Sequence, residues 1–300
     1  MAEVTADQIT KGLSQVARTT DGSGWALSKL DISGLEISSF GEKLSEFSHL
    51  RYLNASSNAI EDGAALASLP NLLAVDLSNN SLTVLPEATL ENLQVAKLNG
   101  NKLKNPGFPS GAPSLVSLDV SANSLTSLEG GLQSSEQLSK LNLSGNTTLT
   151  SIQDIGSLPG LKKLDVSNCS LEGLGGLEGL TALENMNISG NASVVNFEGL
   201  GNGEALANLG ALDASGTGVA EIREVAKLNS LPLLQTLNLA DSPVSGVDSY
   251  RIEVIIVLPK LKILDGEEIT PEEREEATAL IATREEERLA AEAAAEEEAE

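Results

Sequence analysis

The chain predicts an α/β solenoid, a curved parallel β-sheet of about ten stacked coils with a capping helix at the N-terminus and an acidic helix at the C-terminus. Three observations carry this. Leu-x-x-Leu-x-Leu-x-x-Asn-x-Leu recurs along most of the sequence, as in Leu115, Leu118, Val120, Asn123 and Leu125. The slot held by Asn falls at Asn58, Asn80, Asn101, Asn123, Asn146, Cys169, Asn191, Thr217 and Ser242, and most steps between slots are 21 to 23 residues. The Leu-x-Leu core of each copy alternates, as a half-buried strand does.

A fixed period in this range marks a leucine-rich repeat solenoid. One coil cannot bury its own apolar side, so neighbours stack into a continuous core. The Leu positions then point inward and the intervening positions face the concave surface. The Asn turns the chain inward after the strand, and its amide can bond backbone groups of its own and the adjacent coil. Cys, Thr and Ser fit the slot because they are small, and they should fill it less well.

The elements follow in order. Residues 4–18 read as a capping helix: Thr5 with Gln8 forms a capping box, Val4 with Ile9 a hydrophobic staple, and Ile9, Leu13 and Val16 share one helical face. The first coil, Leu27, Leu30 and Ile32, has Leu35 where Asn is expected, as terminal repeats often depart from consensus. Counting it, there are ten strands. Two later coils lengthen to Asn-x-x-Leu or Asn-x-x-Val, at Asn146 to Leu149 and Asn191 to Val194. The step from Asn191 to Thr217 stretches to 26 residues around Gly201-Asn202-Gly203, which belongs on the convex side or an edge. After Ser242 a helix and a last edge strand, ending near Leu264, close the core. Thr270-Pro271-Glu272-Glu273 starts a further helix, with Pro at its first position. Ala277, Leu280 and Ile281 are placed to dock it on the solenoid. The domain reading is 1–24 cap, 25–266 repeat domain and 267–300 acidic tail, whose 14 Glu and 3 Arg give a net charge of −11.

Composition excludes several classes. The formal net charge of −24 argues against nucleic acid phosphates or an anionic membrane surface as partners. With one cysteine, Cys169, no internal disulfide forms, and in the Asn slot it reads as a buried thiol. The N-terminus lacks the regions of a signal peptide and no segment reaches the ~18 apolar residues of a membrane span. Asn142, Asn146, Asn187 and Asn191 begin glycosylation triplets, but two of them belong in the buried ladder. The expectation is a soluble intracellular protein. His49, the one histidine, sits in a turn before a strand. There is no Cys-x-x-Cys, no His pair and no phosphate-cradling loop, so no catalytic residue, metal site or cofactor is expected.

The register places one exposed residue at the centre of each strand: Asp31, Asn54, Asp76, Lys97, Asp119, Asn142, Asp165, Asn187, Asp213 and Asn238. Asp alternates with a non-acidic residue, which spaces carboxylates that would repel on adjacent strands. The column reads either as simple tolerance of the solenoid or as a hydrogen-bonding stripe for a basic or polar partner. A second column, Ser33, Ser56, Ser78, Asn99, Ser121, Ser144, Ser167, Ser189 and Ser215, is small and polar. Tyr52 is the one aromatic expected on the exposed strand positions, with stronger apolar contacts at the edges around Phe40, Phe47, Phe108 and Phe197, some of which read as core instead. In the tail, Glu285, Glu286, Glu287, Glu296, Glu297 and Glu298 read as an acidic arm for a basic partner, against the alternative of a solvated helix that frays.

Five stretches carry a resemblance. Ser249-Tyr250-Arg251 through Leu258-Pro259-Lys260-Leu261 to Leu264-Asp265 resembles the C-terminal cap of intracellular 22-residue leucine-rich repeat proteins. Residues 6–15 and 49–58, with the run from Glu224 to Pro232 and that from Glu272 to Ala277, are similar to the leucine-rich repeat-containing protein 23 and radial spoke family. That resemblance implies a non-enzymatic scaffold subunit of the ciliary or flagellar axoneme, in a hetero-oligomeric assembly with other radial spoke proteins. The alternative is a regulatory subunit docking on an enzyme, a protein phosphatase or axonemal dynein. The middle repeats, rich in Gly, Ala and Ser, depart from the family, and no contact residues carry over there.

Overall fold

The computed structural model describes residues 2–108, 111–129, 132, 134–155, 158–201 and 205–297. Asn202 and Gly203, in the stretched coil, lie outside the described residues. The chain is a leucine-rich repeat solenoid, one 13-stranded sheet in sequential order. Strand β1 (Leu13–Arg18) pairs antiparallel with β2 (Trp25–Asp31). Nine three-residue parallel strands follow: β3 (Tyr52–Asn54), β4 (Ala74–Asp76), β5 (Val95–Lys97), β6 (Ser117–Asp119), β7 (Lys140–Asn142), β8 (Lys163–Asp165), β9 (Asn185–Asn187), β10 (Ala211–Asp213) and β11 (Thr236–Asn238). Parallel β12 (Ile263–Leu264) and antiparallel β13 (Glu267–Glu268) end the sheet. Strands β2 to β11 are the ten expected from the repeat, and β12 is the expected closing strand, with β13 and not β12 at the edge. β1 and β13 are additions. On the convex side, some coils carry a short 3-10 turn, as at Lys43–Phe47 and Ala64–Ser68.

The N-terminal cap differs from expectation. The helix α1 covers Ala6–Gly12 and not 4–18. Its capping box forms as read, with the Gln8 amide donating to Thr5 Oγ1 at 3.2 Å and the Thr5 amide to Gln8 Oε1 at 2.8 Å. Val4 and Ile9 are buried. The helix ends at Gly12, where a Cβ would lie 2.1 Å from the Asp31 carbonyl oxygen. The chain then enters β1, because a β-pair with β2 satisfies more backbone groups than another turn of helix against solvent. Val16, assigned to the buried helical face, pairs with Leu27 instead and is 66% exposed.

The Asn ladder stands as the register predicts. Asn123 Nδ2 donates to the carbonyls of Leu98 (3.0 Å) and Val120 (2.9 Å), and its Oδ1 accepts the Leu103 amide at 2.9 Å. Asn80 and Asn101 repeat this pattern, each side chain tying its own coil to the one before. Asn146 and Asn191, both in glycosylation triplets, are fully buried.

The ladder also explains the lengthened coils. Each Asn Oδ1 accepts the amide two residues beyond the preceding slot, as Asn101 does for Leu82. Cys169 and Thr217 place no such oxygen there. The two coils before them are the lengthened ones, and the extra residue lets the chain satisfy its own amide: Leu149 donates to the Asn146 carbonyl and Val194 to the Asn191 carbonyl, both at 3.0 Å. Cys169 still donates weakly to the Leu143 carbonyl at 3.5 Å, and burial pushes its thiol pKa up. The left-handed residue before each slot (φ 49° at Ala122, 70° at Gly145, 71° at Gly190) makes the inward turn and favours Gly or Asn there.

At the C-terminal end, α2 (Ile222–Ala226) and α3 (Tyr250–Val257) cover the last coils, and α4 (Pro271–Glu297) packs on α3. Ile252, Ile255 and Ala277 form a small second core, with Leu280 against it. Ile281, expected to dock, is 45% exposed and points away. Arg251 ties the cap together, donating to the carbonyls of Leu264 and Glu268 at 3.1 Å and pairing with Glu273. Arg274 donates to the Pro259 carbonyl at 2.8 Å, and Arg284 pairs with Glu253 on α3.

This clasp is pH-dependent. Hydrogen bonds from Arg251 hold the Glu273 carboxyl below its usual value, and those from Arg284 do the same for Glu253. A carboxyl depressed on folding contributes fully above its unfolded pKa and loses that contribution as pH falls through the folded value. Docking of α4 should therefore hold at neutral pH and weaken on acidification below about pH 4.5. Hydrogen exchange should show α4 amides losing protection before those of β4 to β10. Simultaneous loss in both would contradict the clasp.

Candidate partner-binding surface

The strands present the predicted column on the concave side. Tyr52 is 41% exposed there. Each Asp or Asn of the column makes the same local turn. Asp119 Oδ1 accepts the Ser121 amide at 3.0 Å and its hydroxyl at 2.6 Å; Asp31, Asp76, Asp165 and Asp213 do likewise with the Ser two residues on. Asn54, Asn142, Asn187 and Asn238 accept the corresponding amide. The two polar columns are thus one device. An Asx turn after each of β2 to β11, except β5 with its Lys97, feeds the chain into the ladder. This is why Asp or Asn recurs, and why the Ser column is half-buried and not a free platform.

The second oxygen divides the face in two. Asp31 Oδ2 accepts from Asn54 Nδ2 at 3.2 Å, and Lys97 lies 3.6 Å from Asp76 Oδ2. Partial burial pushes the Asp31 carboxyl up, but bonds from the Ser33 hydroxyl and amide and from Asn54 outweigh it and hold the pKa below its usual value. From β6 onward, among the described residues, Asp119, Asp165 and Asp213 keep the outer oxygen unbonded, and Asn142, Asn187 and Asn238 keep their amide NH2 unbonded. Acceptors and donors alternate along this row at the strand spacing, ~4.8 Å. They line a concave groove of ≈ 620 Å³ over β6 to β11, with Lys140 and Lys163 on adjacent strands at its side. Those two lysines enter no ion pair among the described residues. The groove offers both signs of charge and a regular hydrogen-bonding edge, suited to an extended polar segment.

Other predicted positions fall elsewhere. Phe40, Phe108 and Phe197 are core residues at 2%, 2% and 0% exposure, as the core alternative for them expects, and Phe47 is partly buried beside the core. Trp25 is the exposed aromatic that the repeat register overlooked, at 74%. Its signal is the alternation Trp25, Leu27, Lys29, Asp31, which extends the first strand two residues before the first Leu of the repeat. His49 is exposed in its turn. In the tail, Glu285 lies 3.5 Å from Arg288, while Glu286 and Glu287 are exposed. The side chains of Glu296 and Glu297, and Glu298 altogether, lie outside the described residues. No group of metal-ligating side chains occurs among the described residues, and no described helix is long and apolar enough to cross a membrane.

Comparison with known proteins agrees with this architecture. A leucine-rich repeat family model matches residues 138–294. Among solved structures, an internalin of Listeria monocytogenes superposes with a TM-score of 0.64 at 20% identity, covering 79% of this chain and 66% of that one. A leucine-rich repeat protein of Leptospira interrogans gives 0.51 at 22%, covering 80% and 72%. Both likenesses concern the fold alone. Leucine-rich repeat-containing protein 23 of Bos taurus is 33% identical over 294 residues, 91% of this chain and 78% of that protein. The human protein of that name is 31% identical over the same span. With the solenoid, its cap and near full-length identity at this level, the chain belongs to the leucine-rich repeat family typified by leucine-rich repeat-containing protein 23.

Proposed function

We propose that the protein is a non-enzymatic scaffold subunit of the ciliary or flagellar axoneme, seated in a radial spoke and binding neighbouring subunits through its concave sheet and acidic C-terminal helix. The observation that carries the binding role is the unbonded donor and acceptor row over β6 to β11. Buried polar groups need partners, and exposed ones in register along a groove are a template for one. The axonemal place rests on the family resemblance. Asp119, Asn142, Asp165, Asn187, Asp213 and Asn238 are the proposed contacts, with Asp31, Tyr52, Asn54, Asp76 and Lys97 continuing the face. In the tail, Glu285, Glu286, Glu287, Glu296, Glu297 and Glu298 supply the charge.

Fractionation tests the reading. A spoke subunit remains with detergent-insoluble axonemes at moderate salt and crosslinks to other spoke proteins. A regulator of a phosphatase would extract with detergent and copurify with a catalytic subunit, which would replace the proposal. The tail gives a second test. Arg284 anchors α4 to Glu253, so the free arm begins beyond it. Deleting residues 285–300 is expected to leave the melting temperature unchanged while weakening binding to axonemal partners. Exposed charges are screened over ~8 Å at physiological salt, so the intact chain should also bind with the steeper salt dependence. A large drop in melting temperature with binding intact would make the arm packed structure.

A further inference from the structure

The N-terminal hairpin carries features that neither the groove nor the tail explains. β1 is the first strand of the sheet, and among the described residues its outer edge pairs with no other strand. An edge strand presents a row of backbone donors and acceptors and is a template for another chain. β2 is seven residues long and its pairing with β3 begins only at Lys29, so the hairpin overhangs the rest of the sheet. On one face of that overhang lie Val16 at 66%, Trp25 at 74% and Leu27 at 41% exposure. Val16 stands opposite Leu27 and Arg18 opposite Trp25, so these side chains are cross-strand neighbours. Soluble proteins normally protect such an edge with charge, proline or a covering element. Here no element covers the edge, which left-handed Gln15 (φ 58°) interrupts between Ser14 and Val16, and its exposed face is apolar around Val16.

The hairpin is neutral in an otherwise acidic molecule, Arg18 and Lys29 balancing Asp21 in its turn and Asp31 at the end of β2. The chain has a formal net charge of −24, yet Arg18 and Lys29 flank the apolar centre at its two ends. Neither enters an ion pair among the described residues; the Arg18 guanidinium reaches only the Gly22 carbonyl, at 3.4 Å. Behind them Arg51 donates to the Arg18 carbonyl at 2.8 Å, adding a third unpaired cation beside the patch. An apolar centre between two cations that enter no ion pair, on an open strand edge, is complementary to one kind of partner.

We propose that β1 is a docking edge for an extended segment of a partner protein that adds as a further strand and carries an apolar residue flanked by two acidic ones at alternate positions. In a strand, alternate side chains share one face. The apolar residue then covers Val16 and Leu27, while its acidic neighbours two positions away reach Lys29 at one end and Arg18 at the other. Trp25 closes over the added strand. The surface lies at the opposite end of the sheet from the groove over β6 to β11 and adjoins the concave face only where Lys29 pairs with Tyr52, so its occupancy is tested apart from that groove.

The chain's single tryptophan is Trp25, so its fluorescence reports this site alone. The experiment titrates the full chain with a blocked heptapeptide, Thr-Glu-Thr-Ile-Thr-Glu-Thr. Saturable blue-shifted emission is expected as Trp25 leaves water. A peptide with lysine for glutamate, and one N-methylated at alternate amides so that it cannot pair, should produce none. Arg18→Glu should weaken binding by roughly fivefold, the size of a lost exposed ion pair. If that variant melts lower than the parent, Lys29→Glu takes its place with the same expectation. Three results overturn the proposal: no shift with the acidic peptide, an equal shift with either control peptide, or a blue shift on raising protein concentration alone, which would make a second copy the occupant.

Discussion

Leu264→Ala is expected to destabilise the protein by about 2–5 kcal/mol, the range for removing a buried leucine and leaving a cavity. Leu264 is 0% exposed, pairs in parallel with Leu237 and closes the open end of the core. Its carbonyl also accepts from Arg251, which holds Glu273 at the start of α4. The cavity should therefore loosen the clasp as well as the last coil. Because each coil contacts only its neighbours, loss of an end propagates as fraying from that end. The urea midpoint should fall, and proteolysis should begin near residues 258–270 under conditions where the parent resists. A variant with an unchanged midpoint would place Leu264 outside the core and remove the reason for reading β12 as the seal.

Asn146→Ala should cost about 3 kcal/mol, through buried groups left without partners and not through lost apolar area. Asn146 is fully buried. Its Nδ2 donates to the Val120 carbonyl at 3.1 Å and to that of Leu143, and its Oδ1 accepts the amides of Asn123 and Leu125, both at 3.2 Å. Alanine strands the amides of Asn123 and Leu125 in a dry interior and takes one donor from each carbonyl, leaving Val120 with Asn123 and Leu143 with the weak Cys169 thiol. Ser121→Ala is the control. It removes a half-buried hydroxyl bonded to Asp119 and should cost within about 1 kcal/mol. Equal shifts in denaturant midpoint for the two variants would mean that the ladder does not carry the weight assigned to it.

The repeat period alone located the ten central strands, the inward Leu positions, the Asn ladder and the exposed column from Asp31 to Asn238. Each is decided within one coil and its immediate neighbour, so a local pattern is sufficient. The acidic character of the tail is likewise compositional. Long-range pairing decided the rest. Residues 13–18 became a strand because β2 offered a backbone partner, and that pairing, not the amphipathic pattern of 4–18, placed Val16 and Trp25 in solvent. Leu149 and Val194 needed an extra residue before them because of what the next coil lacked, a relation visible only once Asn146 stacks on Cys169 and Asn191 on Thr217. Which aspartates keep a free oxygen depended on the neighbours Asn54 and Lys97 one strand away. Arg284 fixed the end of the docked part of α4 by reaching Glu253 across 31 positions of chain. A period states what repeats. Edges, caps and the pairing of unlike coils do not repeat, and only packing in three dimensions determines them.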